Sequence, residues 1–183
     1  KEFNFELKTN IDGDLTPQVV EFIDTGSTGR GTNKFGDGDF DFMMRLDRDF
    51  ISDTSKMDLL REKLISKLGN IEEVVITGSG DLRLKGVHVK EGTIVDVDIS
   101  FAQKTNGVTY STDMAIKDRL ETIKKQDPEK YRYVVANILL AKEVMKKAGV
   151  YKSSHAATPE GGLGGVGIEN WILQNGGSFI DAA

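Results

Sequence analysis

The chain has 183 residues, with 24 lysines and arginines against 29 aspartates and glutamates and a formal net charge of −5. That length allows one sizeable core or a domain and a half, and the acidic balance argues against a self-sufficient nucleic-acid-binding domain, which carries a basic stripe. Cysteine is absent, which removes disulfides, thiolate metal sites and cysteine nucleophiles together; no apolar run approaches the ~20 residues of a membrane span and no secretory signal is visible, so the expectation is a soluble, cytoplasmic protein without a membrane partner.

Residues 1–8 alternate weakly, with Phe3, Phe5 and Leu7 on one side, and read as an edge strand. Ile11-Asp12-Gly13-Asp14 is a turn, and Pro17 marks entry to the next strand. The run Val19-Val20-Glu21-Phe22-Ile23 is β-branched and aromatic, a strand that ends in the glycine-rich turn Gly26-Ser27-Thr28-Gly29-Arg30-Gly31-Thr32. Small residues there let backbone N–H groups approach phosphate oxygens, and Arg30 adds a fixed positive charge. A second strand-like run over residues 39–46 carries Asp39 and Asp41. Side chains alternate along a strand, so both carboxylates share one side while Phe40 and Phe42 point to the other, into a core. Two carboxylates on one face beside a phosphate-cradling turn make half of a metal-assisted phosphoryl-transfer site.

Thr54 or Ser55 caps a helix running to Leu68, with Leu60, Leu64 and Leu68 spaced by four and Gly69 closing it. Residues 74–77 read as a strand. Residues 82–89 alternate cleanly and pair with residues 92–101 through a turn at 90–93. That second strand carries Asp96 and Asp98, again on one face, among Ile94, Val95, Val97 and Ile99. Aspartate is disfavoured in strands, and metal coordination supplies the reason for two of them. Helices follow over residues 114–125, 128–148 and about 167–174, with a flexible loop at 161–167. Strands first and helices second, without regular alternation, predict an α+β domain passing into a helical one. The boundary falls near residues 105–110, giving a domain over 1–107 and a helical region over 108–183.

Other patterns carry no site. Ile76-Thr77-Gly78-Ser79-Gly80 repeats a strand-then-Gly-Ser pattern, but no Asp-x-Asp follows it, so it reads as a turn. Asp37-Gly38-Asp39-Phe40-Asp41 starts like an EF-hand loop, yet Phe42 and Arg48 stand where glycine and glutamate belong. A Gly-x4-Gly-Lys-Ser/Thr phosphate loop is missing. His88 and His155 lie on different elements, which argues against a histidine metal site or a Ser-His-Asp triad. The lysines at 124–125, 142, 146–147 and 152 read first as solvated helix faces, and Trp171 as a packed residue.

A Gly-Ser turn, an eleven-residue spacer, then Asp-apolar-Asp-apolar resembles the signature of the polymerase-β-type nucleotidyltransferase superfamily. That resemblance implies a third carboxylate on a neighbouring strand. Val97-Asp98-Ile99-Ser100-Phe101 looks like the third-carboxylate strand of poly(A) polymerases, which makes Asp98 the choice and Asp96 the reserve. Over roughly residues 19–183 the chain is similar to the archaeal CCA-adding enzymes and their poly(A) polymerase and oligoadenylate synthetase relatives. The similarity rests on Ser111-Thr112-Asp113, on Leu139-Leu140-Ala141-Lys142 with Gly149-Val150-Tyr151, and on Gly162-Leu163-Gly164-Gly165 with Glu169 and Gly177-Ser178-Phe179. Asp118, beside Arg119, stands where that branch has a histidine, and its usual proline after the third carboxylate is missing. The chain also stops four residues beyond Phe179, where the family continues into RNA-binding domains, so a fragment of a larger protein is expected.

The resemblance implies an α+β fold, a mixed β-sheet nucleotidyltransferase core with flanking helices passing into a C-terminal helical region. It implies Asp39, Asp41 and Asp98 as catalytic, metal-binding residues for two Mg²⁺ (or Mn²⁺). It further implies nucleotide binding by Gly26, Ser27, Arg30, Thr32, Lys142 and Tyr151, with ATP or another nucleoside triphosphate as substrate. The implied reaction transfers a nucleoside monophosphate to a hydroxyl and releases pyrophosphate. The favoured acceptor is an RNA 3′ end such as that of tRNA. A second nucleotide, giving an oligomeric or cyclic signal, and a small molecule are the alternatives, and a catalytically silent nucleotide-binding module is the reading from another class.

Overall fold

The computed structural model describes residues 19–33, 39–89, 92–104, 112–151 and 164–182. The strand expected at 1–8 and the turn at 11–14 lie outside the described residues, as do residues 90–91 of the hairpin turn and 161–163 of the loop. The chain divides into two units, Lys1–Gly29 with Gly36–Thr109, and Arg30–Phe35 with Tyr110–Ala183.

The first unit is built on a five-stranded mixed sheet. Its strands are β1 (Val19–Thr25), β2 (Asp39–Leu46), β3 (Glu73–Ile76), β4 (Leu82–His88) and β5 (Ile94–Gln103), in the order β1-β2-β5-β4-β3. β2 and β5 run parallel, and the other neighbours are antiparallel. Three helices belong to this stretch of chain: α1 (Gly26–Arg30), α2 (Arg48–Ile51) and α3 (Thr54–Leu68). The glycine-rich segment expected as a turn is the short helix α1, and α2 had no counterpart in the sequence reading.

One face of the sheet carries the core. Phe42, Met44 and Leu46 of β2, Leu82 and Leu84 of β4, and Val97 and Ile99 of β5 are buried there with Met57, Leu60, Leu64 and Leu68 of α3. The α3 residues recur at helical spacing on one stripe, so the helix buries that stripe against the strands. A fully buried Leu contributes about 1.5–3 kcal/mol in transfer free energy, which outweighs the weak amphipathicity of the rest of α3. Phe42 stacks on Phe22 with ring centroids 4.9 Å apart. The cap of α3 is Asp53 rather than Thr54 or Ser55, since its carboxylate accepts the Lys56 N–H at 3.1 Å. Clean alternation in β4 also fails. The register shifts between Leu84 and Val87, where Gly86 takes φ +63° and forms a bulge.

The second unit is helical. Its helices are α4 (Thr112–Gln126), α5 (Pro128–Lys147), α6 (Gly165–Gln174) and α7 (Phe179–Ala182). Asp127 caps α5 by accepting the Lys130 N–H at 2.9 Å, and Pro128 occupies the first turn, where its missing N–H costs nothing. Ile116, Leu120, Val134, Ile138, Ala141, Ile168, Ile172 and Leu173 form this unit's buried core. Helix α6 begins at Gly165, so the end of the expected flexible loop is its first turn. Trp171 packs edge-on to Phe179 at 6.2 Å. Among the described residues, no helix is long and apolar enough to cross a membrane.

Candidate active site

In the first unit, the strand register gathers the acidic residues. Asp39 lies opposite Asp96 and Asp41 opposite Asp98 across the parallel β2–β5 pair. Residues paired across adjacent strands project to the same side, so all four carboxylates share the face away from the α3 core. Asp96 and Asp98 differ in what they already hold. The Asp96 carboxylate accepts the Gly86 N–H of the β4 bulge at 3.0 Å, which ties it to the backbone. Asp98 faces Arg83 of β4, whose Nε stands 3.6 Å from its Oδ2. Both of those side chains are well exposed, so this pair is worth at most about 1 kcal/mol and yields easily to a stronger cation.

The end of β1 brings the glycine-rich segment to the same place, with Thr25 opposite Asp41. Gly26 follows with φ +63°, and a Cβ built on it would overlap Oδ2 of Asp41. Glycine is therefore required twice over, for the left-handed backbone and for the carboxylate that lies against it. Gly29 is required by a different contact, because a Cβ there would overlap the Asp24 carbonyl. Ser27, between them, is half-buried.

Among the described residues, no group of three His, Cys, Asp or Glu side chains stands in metal-holding geometry. The donor set nevertheless fits Mg²⁺ in kind. It consists of hard carboxylate oxygens from adjacent strands on one sheet face, which suit that ion and not a nitrogen- or sulfur-seeking metal.

The second unit holds the other candidates in a buried polar cluster. Glu169 on α6 is fully buried and sits beside Arg30, which is 5 % exposed, and the fully buried Thr32. Arg30 donates from Nε to Glu169 Oε2 at 2.5 Å and from Nη2 to Oε1 at 3.2 Å. The Thr32 hydroxyl donates to Oε1 at 2.7 Å. Lys142 of α5 donates from Nζ to the same Oε1 at 2.5 Å and to the Thr32 carbonyl at 3.0 Å. The solvated-face reading of Lys142 therefore fails, since its side chain is only 15 % exposed and is held by Glu169 and the Thr32 carbonyl. Gly165 lies against both Lys142 and Tyr151: a Cβ on it would stand 3.7 Å from Lys142 Cε and 3.2 Å from Tyr151 Oη. Lys142 and Tyr151, nine positions apart in sequence, are thus neighbours around one glycine.

No protein-family model and no curated protein matches this sequence. Solved structures do match its fold. CdnC of E. coli MS115-1 with ATP gives a TM-score of 0.62 at 17% identity, covering 99% of this chain and 60% of that one. The Cid1 poly(U) polymerase with MgGTP bound gives 0.64 at 17% identity, covering 94% and 47%. The CdnE c-di-GMP synthase from Capnocytophaga granulosa gives 0.56 at 18% identity, covering 93% and 56%. This is the fold of the polymerase-β-type nucleotidyltransferases. The chain spans about half to three-fifths of the length of these nucleotidyltransferase-fold structures.

Two residues gain importance over the sequence reading. Arg83 was not singled out, and its contact with Asp98 depends on pairing between β4 and β5. Glu169 was quoted within the resemblance but given no role. Its sequence signal is an acid on the apolar stripe of α6, with Ile172 and Leu173 following at helical spacing.

Proposed function

We propose that this protein is a metal-dependent nucleotidyltransferase that moves a nucleoside monophosphate from a nucleoside triphosphate to a hydroxyl acceptor and releases pyrophosphate. The observation that carries the reading is the register of Asp41 against Asp98, with Gly26 lying under the Asp41 carboxylate. The fold shared with CdnC, Cid1 and CdnE supports it.

In this reading Asp39, Asp41 and Asp98 would hold the Mg²⁺ ions, with Asp98 serving the side of the attacking hydroxyl, while Asp96 accepts the Gly86 N–H. When bound, the metals polarise the hydroxyl and neutralise phosphate charge. The chain's own groups bind and orient. The backbone around Gly26 and Ser27 approaches the triphosphate, Lys142 serves its β- and γ-phosphates with the buried Arg30 and Thr32 behind it, and Tyr151 lies against the ribose or base. The acceptor hydroxyl attacks the α-phosphorus and gives up its proton to solvent, the bond from that phosphorus to the β-phosphate oxygen breaks, and pyrophosphate leaves.

An RNA 3′ end is the proposed acceptor, in keeping with the CCA-adding resemblance and with the poly(U) polymerase among the fold neighbours. A second nucleotide is the other reading. It is favoured by the net charge of −5, which opposes polyanion docking, and by the c-di-GMP synthase among the same neighbours. Pyrophosphate release from each labelled triphosphate with Mg²⁺, with and without RNA, tests both. Release stimulated by RNA with label in the RNA supports the first, and RNA-independent release with a labelled oligonucleotide supports the second. No release from any triphosphate under either condition refutes the enzyme.

A further inference from the structure

Glu169 gathers four donors on one carboxylate: two from Arg30, one from Thr32 and one from Lys142. A buried ion cluster of this kind is a weak source of stability, because apolar side chains of similar volume commonly do as well. Its distinctive property is order. Arg30 is held by a two-point contact with the carboxylate, and Lys142 by the carboxylate and the Thr32 carbonyl together.

The cluster also has a direction. Glu169 and Thr32 are fully enclosed and the Arg30 side chain is 3 % exposed, whereas Lys142 keeps 15 %. Lys142 is therefore the member that reaches the surface, with Glu169 behind it. Two of its three N–H donors are committed at 2.5 and 3.0 Å, and the remaining contact, to the Thr32 hydroxyl at 3.4 Å, is longer than an ordinary hydrogen bond. That long contact is the one an anionic oxygen would replace while the other two are kept. The Tyr151 hydroxyl lies beside Lys142 at Gly165.

We infer that Glu169 is a positioning residue: its carboxylate fixes the Lys142 ammonium and the Arg30 guanidinium so that Lys142 presents one N–H to the β- or γ-phosphate of a bound nucleotide. The inference rests on the proposed nucleotidyltransferase reading and names the residue that prepares its phosphate contact. It also makes a prediction of opposite sign to simple electrostatics. A carboxylate that only diluted positive charge would, on removal, leave the cluster more cationic and the triphosphate more tightly bound. A carboxylate that positions the cations must weaken triphosphate binding when removed, despite the gain in charge.

The test is calorimetric binding of ATP and AMP with Mg²⁺ to the parent, Glu169→Gln and Glu169→Asp proteins, each with its melting temperature. AMP lacks the β- and γ-phosphates and reports the nucleoside end alone. The expected result is a loss of ATP affinity of about tenfold or more in Glu169→Gln, with AMP changed less than about twofold. Glu169→Asp, which keeps a carboxylate, recovers part of that loss and keeps the measurement available if Glu169→Gln does not fold. ATP bound as tightly as by the parent, or more tightly, overturns the inference. So does an equal loss for ATP and AMP, which marks a purely structural role. A parent that binds ATP no better than AMP overturns the nucleotidyltransferase reading and this inference with it. A parent that prefers ATP, with the same preference in both variants, overturns the inference alone.

Discussion

Replacing Gly26 by alanine separates the two demands that the site makes on this glycine. The first is backbone. At φ +63° an L-residue pays about 1–2 kcal/mol relative to glycine. The second is the Asp41 carboxylate, whose Oδ2 occupies the space of the new methyl group. Gly92 isolates the first demand, since it has φ +74° and nothing within 4 Å of its Cβ position. Gly92→Ala is therefore expected to lower the melting temperature by a few degrees, about 2–4 °C per kcal/mol for a chain of this size, and Gly26→Ala by at least as much. They part company in activity. Gly26→Ala must turn the Asp41 side chain away or lift β2 from α1, and a displacement of about 1 Å at a reacting centre costs about a hundredfold in rate. Pyrophosphate release is expected to fall by about that factor in Gly26→Ala and to stay at the parent level in Gly92→Ala. Parent-level release from a folded Gly26→Ala protein would refute the assignment of Asp41 to the chemistry.

Three further outcomes follow from named contacts. Asp98→Asn is expected to keep ATP binding and lose transfer, while Asp96→Asn, whose amide oxygen can still accept the Gly86 N–H, is milder; the reverse order in a pyrophosphate-release assay would move the third carboxylate to Asp96. Lys142→Ala is expected to weaken ATP binding roughly ten- to a hundredfold, the equivalent of about 1.5–3 kcal/mol for a charge-assisted contact, and to spare AMP. Tyr151→Ala weakens ATP and AMP alike, and Lys142→Ala with unchanged ATP affinity at low salt would remove that lysine from the site. The backbone hydrogen bond from Lys56, and then the Lys56 side chain, hold the Asp53 carboxyl below its ordinary value of 3.8. Its capping contribution is thus fully present above that value and lost as pH falls through the depressed one. The melting-temperature gap between the parent and Asp53→Ala, open at about pH 7, is expected to narrow toward about pH 3, and a constant gap would refute the linkage.

What the sequence made legible follows from the range of each interaction. Alternation at Asp39-Phe40-Asp41-Phe42 and again at Asp96-Val97-Asp98 is a property of single strands, so the carboxylate face was readable before any pairing was known. The α3 stripe was equally readable from Leu60, Leu64 and Leu68, and those residues are buried together with β2, β4 and β5. Local competition produced the small errors. Asp53 took the cap because its side chain reaches the Lys56 N–H, and Gly86 broke the alternation of β4 because only glycine accepts its backbone angle cheaply. Alternation also could not rank Asp96 against Asp98, since both satisfy the same period. What separates them in the structure is their partners: Asp96 accepts the backbone N–H of Gly86, and Asp98 faces the exposed Arg83 side chain.

The cationic cluster escaped for a different reason. Arg30 and Glu169 are 139 positions apart, and Lys142 reaches Thr32 across 110. No periodicity carries information over such distances, so Lys142 looked like one more lysine on a solvated helix face. What periodicity did offer was an anomaly: Glu169 occupies an apolar stripe, and a buried carboxylate is costly enough to demand cationic or hydrogen-bonding partners. That demand states how many donors are needed without saying which, and only the folded chain supplies Arg30, Thr32 and Lys142. An acid on the apolar stripe of a helix is therefore a better guide to the buried polar cluster here than any of the lysines themselves, because the lysines are cheap to leave in water and the acid is not.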